Sequence, residues 1–444
     1  MEHSQIQPTP GGDWKTSPHS HFAARLVEKP LEEEFHFPIS ARSGRIPDRA
    51  HTALDATFSQ PPPPAAADQV KCEVVTRAAR TLVSPQRGSP KIARELSLMD
   101  TAKPRTIFIT GATGLVGGHA AEEALRRGHR VRALVRASSD TRWLDPLEVE
   151  KVPGDLEDVE SLRRGVAGAD WVFNCAAKVG DWGTLAEFRR LNVAALRLLL
   201  DAACDAQVER FVHVSSLGVY AGRDHHGTDE TVPPAASSLD AYTRSKTEAE
   251  ALVLKYHKER SLPAAIVRPG FIYGERDRTV LPKLLMNLRR GTFAYFGTGE
   301  QALNCIYVKN LVHGIFLAAE NPAALGEFFN LTDGEPVSKI RFVSRVAELA
   351  GLRPPTRHIP LGLARLLATV VEGGAKLRGA RNAPIINKAR FKFLGLHLDY
   401  SIDKARKILG YQPPYSFDEA IERAMAEHRP RAHSENPARA GSPT

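Results

Sequence analysis

Arg105-Thr-Ile-Phe-Ile-Thr-Gly-Ala-Thr-Gly-Leu-Val-Gly-Gly118 joins a short apolar run to a glycine-spaced turn and then to a helix-compatible stretch. The order predicts a strand over 105–110, a tight turn, and a helix beginning near Leu115. Gly111 permits the turn, Gly114 lets the backbone approach a pyrophosphate, and Gly117 lets the helix pack closely on the strand, with Thr113, Leu115 and Val116 beside them. The amides of such a helix N-terminus face phosphate charge. Taken alone, Gly111-x-x-Gly114-x-x-Gly117 also suits an ordinary glycine-rich turn.

Outward from this stretch, apolar runs at 105–110, 130–135, 149–152, 171–174, 210–214 and 264–268 alternate with helical patterns at Val116–Arg127, Leu185–Ala206 and Ala241–Glu259. Alternation of this kind predicts an α/β fold, a Rossmann-type doubly wound parallel sheet. After Arg268 the pattern becomes irregular, with closely spaced Gly and Pro, and predicts a small C-terminal substrate-binding region over 269–428, partly interleaved with the sheet. Residues 1–98 hold 12 of the 31 prolines and no sustained period of 2 or 3.6. They read as a disordered tail, or as an over-long gene call upstream of a natural start at Met99; residues 429–444 read as a disordered C-terminal tail.

Composition narrows the function classes. A hydrophobic content of 42% over 444 residues suffices for a large core. No run reaches the roughly 18 apolar residues of a spanning helix, and the start lacks the basic and apolar regions of a secretory signal. These features predict a cytoplasmic protein. The apolar stretch Leu361–Val371 leaves open peripheral membrane contact or the lining of an apolar pocket. Cysteines at 72, 175, 204 and 305 are too scattered for a disulfide framework or a metal site; they read as reduced thiols, with Cys175 and Cys305 buried, and no metal is expected. A net charge of +9 without a basic stripe interleaved with aromatics argues against nucleic acid. A homodimer remains open.

Two further motifs carry chemistry. Tyr242-Thr-Arg-Ser-Lys246 puts a phenol and an ammonium on one helix face, where the lysine charge is expected to lower the tyrosine pKa. With nine tyrosines in the chain, such a pair arises by chance about 0.4 times. Val212-His-Val-Ser-Ser-Leu-Gly-Val-Tyr220 ends an apolar strand in two hydroxyls at the carboxyl edge of the sheet, where ligands bind in open α/β sheets. Ser216 there can hold a substrate oxygen beside the phenol, or merely cap the strand end.

In this order the residues resemble the extended short-chain dehydrogenase/reductase superfamily (the NAD-dependent epimerase/dehydratase superfamily) over nearly all of 105–428. The resemblance rests on the glycine turn, Gly154-Asp155-Leu156, Asn174-Cys-Ala-Ala177, Asn192-Val193, Val214-Ser-Ser216, Tyr242-x-x-x-Lys246 and Arg268-Pro-Gly-Phe-Ile-Tyr-Gly274. It implies an NAD(P)-binding domain over 99–268, with Asp155 and Leu156 bordering the adenine, Ala176 the phosphates and ribose, and Pro269 through Ile272 the nicotinamide. It matches Ser216, Tyr242 and Lys246 to the catalytic set. The second half looks most like the 3β-hydroxysteroid dehydrogenase group, including sterol-4α-carboxylate 3-dehydrogenases, through Gly274-Glu-Arg-Asp277, Asn310-Leu-Val-His-Gly314, Phe329-Asn-Leu-Thr-Asp-Gly-Glu-Pro336 and Ala405-Arg-Lys-Ile-Leu-Gly-Tyr-Gln-Pro413. Where that group usually has His-Val-Asp or a similar acidic step, this chain has Tyr307-Val308-Lys309.

The expected activity is oxidation of a secondary alcohol or reduction of its ketone, on a small apolar molecule such as a steroid or, alternatively, a dihydroflavonol-type ketone. A nucleotide-sugar epimerase or dehydratase is the other enzymatic reading, with Arg276, Arg278 and Lys283 available for a diphosphate; a non-catalytic dinucleotide-binding protein is the third. Val131-Arg-Ala-Leu-Val-Arg136 ends the second strand without an acid that would repel a ribose 2′-phosphate. Arg136, with Arg132 nearby, therefore favours NADP over NAD.

Overall fold

Strand β1 (Thr106–Thr110) is buried at every position, as a central strand covered on both faces must be. In this computed structural model, which describes residues 103–235, 240–380 and 382–428, it leads through the glycine turn into α1 (Leu115–Arg126). Then come β2 (Arg130–Val135), β3 (Val149–Pro153), α2 (Val159–Val166), β4 (Trp171–Asn174), α3 (Leu185–Arg189), a π-helical turn at Arg190–Ala194, α4 (Ala195–Asp205) and β5 (Arg210–Val214). They are followed by β6 (His225–Thr228), α5 (Ala241–Arg260), β7 (Ala264–Pro269), β8 (Phe271–Tyr273), α6 (Val280–Arg289), β9 (Tyr295–Phe296), β10 (Cys305–Tyr307), α7 (Val308–Glu320) and β11 (Phe328–Leu331). The last described elements are α8 (Lys339–Leu349), β12 (His358–Ile359), α9 (Leu361–Leu377), α10 (Lys388–Gly395), β13 (Leu398–Tyr400) and α11 (Phe417–Ala424). The expectations for residues 1–98, for a start at Met99 and for 429–444 lie outside the described residues.

Seven strands form one sheet in the order β11-β7-β5-β4-β1-β2-β3, and every neighbouring pair is parallel. The fold is the expected Rossmann-type doubly wound sheet. Side chains of β1 alternate between its faces. Ile107 and Ile109 pack with Ala120, Ala124 and Phe316 on one side, whereas Phe108 packs with Leu162, Leu199 and Val253 on the other. Strand order reverses between β1 and β4, so the crevice where such sheets bind ligands opens at their carboxyl ends.

Two details differ from the sequence reading. The seventh strand, β11, comes from the C-terminal third; it is only four residues long and carries Asn330 in its middle, so its apolar signal is weak. Asn330 is nonetheless fully buried, because Glu230 accepts its backbone N–H at 2.6 Å and Tyr220 donates to its side chain at 3.0 Å. The helical pattern over Leu185–Ala206 is also interrupted by the π turn at Arg190–Ala194, a feature that leaves the apolar periodicity nearly unchanged.

Candidate active site

The glycine turn is built as its spacing implies. Gly111 has φ +71°, and a Cβ there would stand 2.8 Å from the backbone N of Ala176, the residue that faces it across the β1/β4 reversal. A Cβ on Gly117 would lie 2.4 Å from the Gly111 carbonyl oxygen. Neither position admits a side chain while the turn and α1 keep this contact. Gly114 caps α1 without a side-chain hydrogen bond, and no acid occupies the first turn. The helix therefore presents its N-terminal amides and positive dipole end without an internal anion. Thr113, Leu115 and Val116 are partly exposed around this end.

Across the crevice, polar groups fix the end of β4. The Ala176 N–H donates to Thr110 Oγ1 at 3.3 Å, and Thr110 Oγ1 donates to Asn174 Oδ1 at 2.7 Å. Asn174 Nδ2 then lies 3.0 Å from His213 Nδ1; an amide nitrogen can only donate, so His213 Nδ1 accepts and its proton sits on Nε2. That Nε2 is buried without a partner among the described residues, and the ring lines a small cavity with Leu156, Asn174, Asn192 and Lys246. Burial, then the Lys246 charge, holds the His213 pKa well below its ordinary value, so the ring is neutral. Asn192, carried by the π turn, accepts the Lys178 N–H at 2.7 Å and donates to Lys178 O at 3.0 Å and Ser245 Oγ at 2.9 Å. Sequence spacing pointed to Asn192 only through the resemblance, and the Thr110–Asn174–His213 chain was missed because its members lie on three different strands.

Ser216 follows β5 at the carboxyl edge of the sheet beside Tyr242, with Lys246 one turn further along α5. Asp240 accepts the Thr243 N–H at 2.7 Å and caps α5, which sets the helix so that Tyr242 faces the loop after β5. The Ser216 hydroxyl lies beside the Tyr242 phenol and favours its ionised form. Ser216 Oγ also accepts the Gly218 N–H at 2.9 Å, so it caps the short turn Leu217–Val219 as well. Phe188 meets the Tyr242 ring edge-on at 6.1 Å. From α10, Lys392 Nζ donates to the carbonyls of Gly218 and Tyr220 at 2.9 and 3.0 Å and clamps this loop.

Electrostatics around Tyr242 differ from expectation. Its pKa is raised, not lowered: burial dominates, and the Ser216 hydroxyl only partly offsets it. The reason is where Lys246 points. Its Nζ is buried and donates to Val214 O at 2.7 Å, and burial lowers the lysine to about 8 despite the attraction of Glu250. Behind it, Glu250 receives a two-pronged pair from Arg268 at 2.9 and 2.6 Å, and Arg268 also donates to the Tyr220 hydroxyl at 2.9 Å. This buried network ties α5 to β7 and holds the lysine at its depth.

The remaining expected residues are distributed around the crevice. Arg136 is exposed at the end of β2; its carbonyl accepts the Ser139 N–H at 2.9 Å, and its guanidinium has no partner among the described residues. Arg132 does not join it: its guanidinium bonds Glu150 at 2.9 Å and the Ala167 carbonyl at 2.7 Å, beside the C-terminal end of α2, where unpaired carbonyls attract a cation. The Asp155 carboxylate accepts the Glu157 N–H at 3.1 Å, an Asx turn at the mouth of α2. Pro269 ends β7 in register with Leu331, and Ile272 lies in β8 opposite Ile306. Tyr307 and Lys309 both donate to Glu275, at 2.7 and 3.0 Å. Cys305 is buried, whereas Cys175, at the edge of the crevice, is partly exposed.

Residues 107–332, half of the chain, match the model of the NAD dependent epimerase/dehydratase family. The chain belongs to this family. It is an oxidoreductase, as its relatives within the family indicate. It is 34% identical over 336 residues to the 4-hydroxy-2-methyl-3-oxo-4-farnesyl-3,4-dihydroquinoline-1-oxide ketoreductase of Stigmatella aurantiaca, covering 75% of this chain and 99% of the relative. It is 31% identical to the decarboxylating sterol-4-alpha-carboxylate 3-dehydrogenase of Mus musculus, over 73% of this chain and 91% of that one. Among solved structures, the crystal structure of gox2253 superposes with a TM-score of 0.62 at 32% identity, covering 73% of this chain and 97% of that chain. Family membership and the uncapped glycine turn agree on a dinucleotide cofactor of the NAD type. No helix among the described residues is long and apolar enough to cross a membrane.

Proposed function

We propose that this protein interconverts a secondary alcohol and its ketone on a small apolar molecule, with a sterol-like ring system as the first candidate and a dihydroflavonol-type ketone as the second. The observation that carries this reading is the grouping of Ser216, Tyr242 and Lys246 at the carboxyl edge of the sheet. The glycine cradle and the N-terminal amides of α1 are suited to hold the pyrophosphate. When bound, the nicotinamide supplies the hydride donor or acceptor. Ser216 orients the substrate oxygen. Tyr242 gives that oxygen a proton during reduction and takes one during oxidation. Burial keeps the phenol protonated at neutral pH, which supports reduction as the direction for which the resting site is set, as does the ketoreductase relative.

Arg136 supports NADP over NAD. Its exposed guanidinium, free of a carboxylate partner, can take a 2′-phosphate in a charge-assisted contact. The epimerase reading is less favoured because two of the three cations it needs are engaged. Arg276 pairs with Glu122 at 2.6 Å, and Arg278 with Asp140 at 3.1 Å.

The test is Tyr242→Phe, assayed for reduction of a cyclic ketone with release of oxidised cofactor. Turnover should fall by about 10²–10⁴-fold while dinucleotide affinity stays unchanged, since only the transferable proton is lost. Undiminished turnover overturns the reading. Activity on a nucleotide sugar without net cofactor turnover would instead select the epimerase.

A further inference from the structure

Among the described residues, Gln207, Ser261 and Arg276 are the residues other than glycine with φ in the left-handed region. Gln207 and Ser261 follow the ends of α4 and α5, where that conformation is an ordinary helix stop. Arg276, at φ +66°, ends no helix. It lies between β8 and α6, in a segment fixed at both ends. On one side Glu275 accepts from Tyr307 and Lys309 at 2.7 and 3.0 Å. On the other, the Asp277 carboxylate accepts the Thr279 and Leu281 N–H groups at 2.8 and 2.9 Å and fixes the start of α6. Backbone strain of this kind persists where the surroundings over-determine it, and it collects at ligand clamps and switch regions.

Arg276 and Arg278 hold the rim of the dinucleotide crevice. The Arg276 guanidinium makes a two-pronged pair with Glu122 of α1 at 2.7 and 2.6 Å and lies 5.2 Å from the centre of the Trp143 ring. Arg278 pairs with Asp140 at 3.1 Å. Asp140 and Trp143 belong to the loop that leaves β2 just after Arg136, at the adenosine end of the crevice. β8 is the strand expected to pass the nicotinamide, and α1, whose N-terminal amides suit the pyrophosphate, is the helix that Arg276 grips between them. The two contacts differ in strength. Arg276 is only 10% exposed, whereas Arg278 and Asp140 are 43 and 34% exposed, and an exposed pair parts at little cost.

We propose that Glu275–Arg278 is a clasp across the rim of the dinucleotide crevice, with Arg276 as its anchor and the Arg278–Asp140 pair as the catch that opens when the dinucleotide enters or leaves. These are positioning residues, apart from the chemistry assigned to Tyr242. The catch is made in the ligand-free chain, so it adds no contact that binding creates. An interaction present equally before and after binding leaves affinity unchanged. What it changes is the rate of passage, in both directions by the same factor. The clasp concerns the dinucleotide alone and holds whichever substrate the site reduces.

The experiment is stopped-flow binding of NADH and of NADPH to the full chain without substrate, followed by nicotinamide fluorescence, with dissociation read by displacement with the oxidised dinucleotide. Arg278→Ala should raise the association and dissociation rate constants together by about two- to fivefold, the worth of an exposed ion pair, and leave Kd unchanged. Arg278→Lys keeps the charge and should restore the parent rates. Arg276→Gly removes the anchor but accepts the positive φ without strain; it should raise both rates further while circular dichroism and the thermal transition stay close to those of the parent. Rates unchanged in both variants overturn the proposal. So does a weakened Kd with no faster association, since the segment would then be scaffold for the bound state. A parent chain that binds neither dinucleotide overturns it as well. Because no substrate is present, each of these results is separate from the outcome of the Tyr242→Phe assay.

Discussion

Replacing Lys246 by Met should stabilise the folded chain while abolishing its chemistry. An ordinary lysine titrates near 10.5, and this one is lowered to about 8 by burial. At about 1.36 kcal/mol per pKa unit, keeping Lys246 charged in the fold costs about 3 kcal/mol at neutral pH. Methionine has similar length and no charge, so the cost disappears. Against it stands the lost hydrogen bond to Val214 O, worth about 1 kcal/mol, which leaves a net gain of roughly 2 kcal/mol at pH 7. The sign follows from proton binding. Between about pH 8 and 10.5 the unfolded chain holds a proton on this lysine that the folded chain has released, so parent stability rises with pH across that window and is lowest below it. The advantage of Lys246→Met should therefore be full at pH 7, shrink above pH 8, and be gone by about pH 10.5. Urea denaturation of both proteins at pH 7 and pH 10, followed by fluorescence, measures it. A variant less stable than the parent at pH 7, or a difference that does not change with pH, would refute the assignment of a strained buried charge.

Three other outcomes follow from geometry already described. Arg136→Asp should shift kcat/KM from NADP towards NAD by roughly ten- to a hundredfold, the equivalent of a charge-assisted contact of about 1.5–3 kcal/mol; an unchanged ratio of the two specificity constants removes the role of Arg136. Arg268→Leu leaves Glu250 buried and unpaired and should cost about 3–5 kcal/mol of stability, read as a lowered urea midpoint; adding Glu250→Leu should recover much of it. Gly117→Ala forces a methyl to within 2.4 Å of the Gly111 carbonyl and should weaken dinucleotide binding by more than about tenfold, measured by tryptophan fluorescence quenching, while Gly373→Ala, a helical glycine where a methyl meets nothing within 4 Å, serves as the control.

How much of this was legible in the chain depends on range. β1, the glycine turn and α1 are contiguous, so local spacing suffices to read them. Tyr242 and Lys246 share one helix, and Ser216 ends a neighbouring strand; their meeting required only the parallel sheet that the alternation implies. What failed was orientation. Lys246 and Tyr242 do share a face of α5, but the lysine turns to a carbonyl of β5, which only the packed sheet reveals. Arg132 and Arg136 look equivalent on paper, yet their positions differ by an even step along a strand whose end leaves only the second exposed. The apolar run at Leu361–Val371 was visible, but whether its leucines face inward is decided by which small residues the rest of the fold can accommodate, Ala364 and Ala368 in this case.

The seventh strand bears on how the chain is made. One core cluster gathers Ile107 and Ile109 with Phe329 and Leu331 of β11 and with Tyr411, whose hydroxyl donates to Thr332 O at 3.1 Å. During synthesis, the first of these partners waits for some 300 residues before the last emerges, roughly half a minute at about 10 residues per second. Until Leu331 appears, the outer edge of β7 stays open to any passing strand. A nascent chain of this kind needs either a slow, sheltered exit or a chaperone that covers that edge. Grafting a different substrate region onto the dinucleotide-binding half would have to carry β11 along with it, or the hybrid would aggregate before it could be assayed.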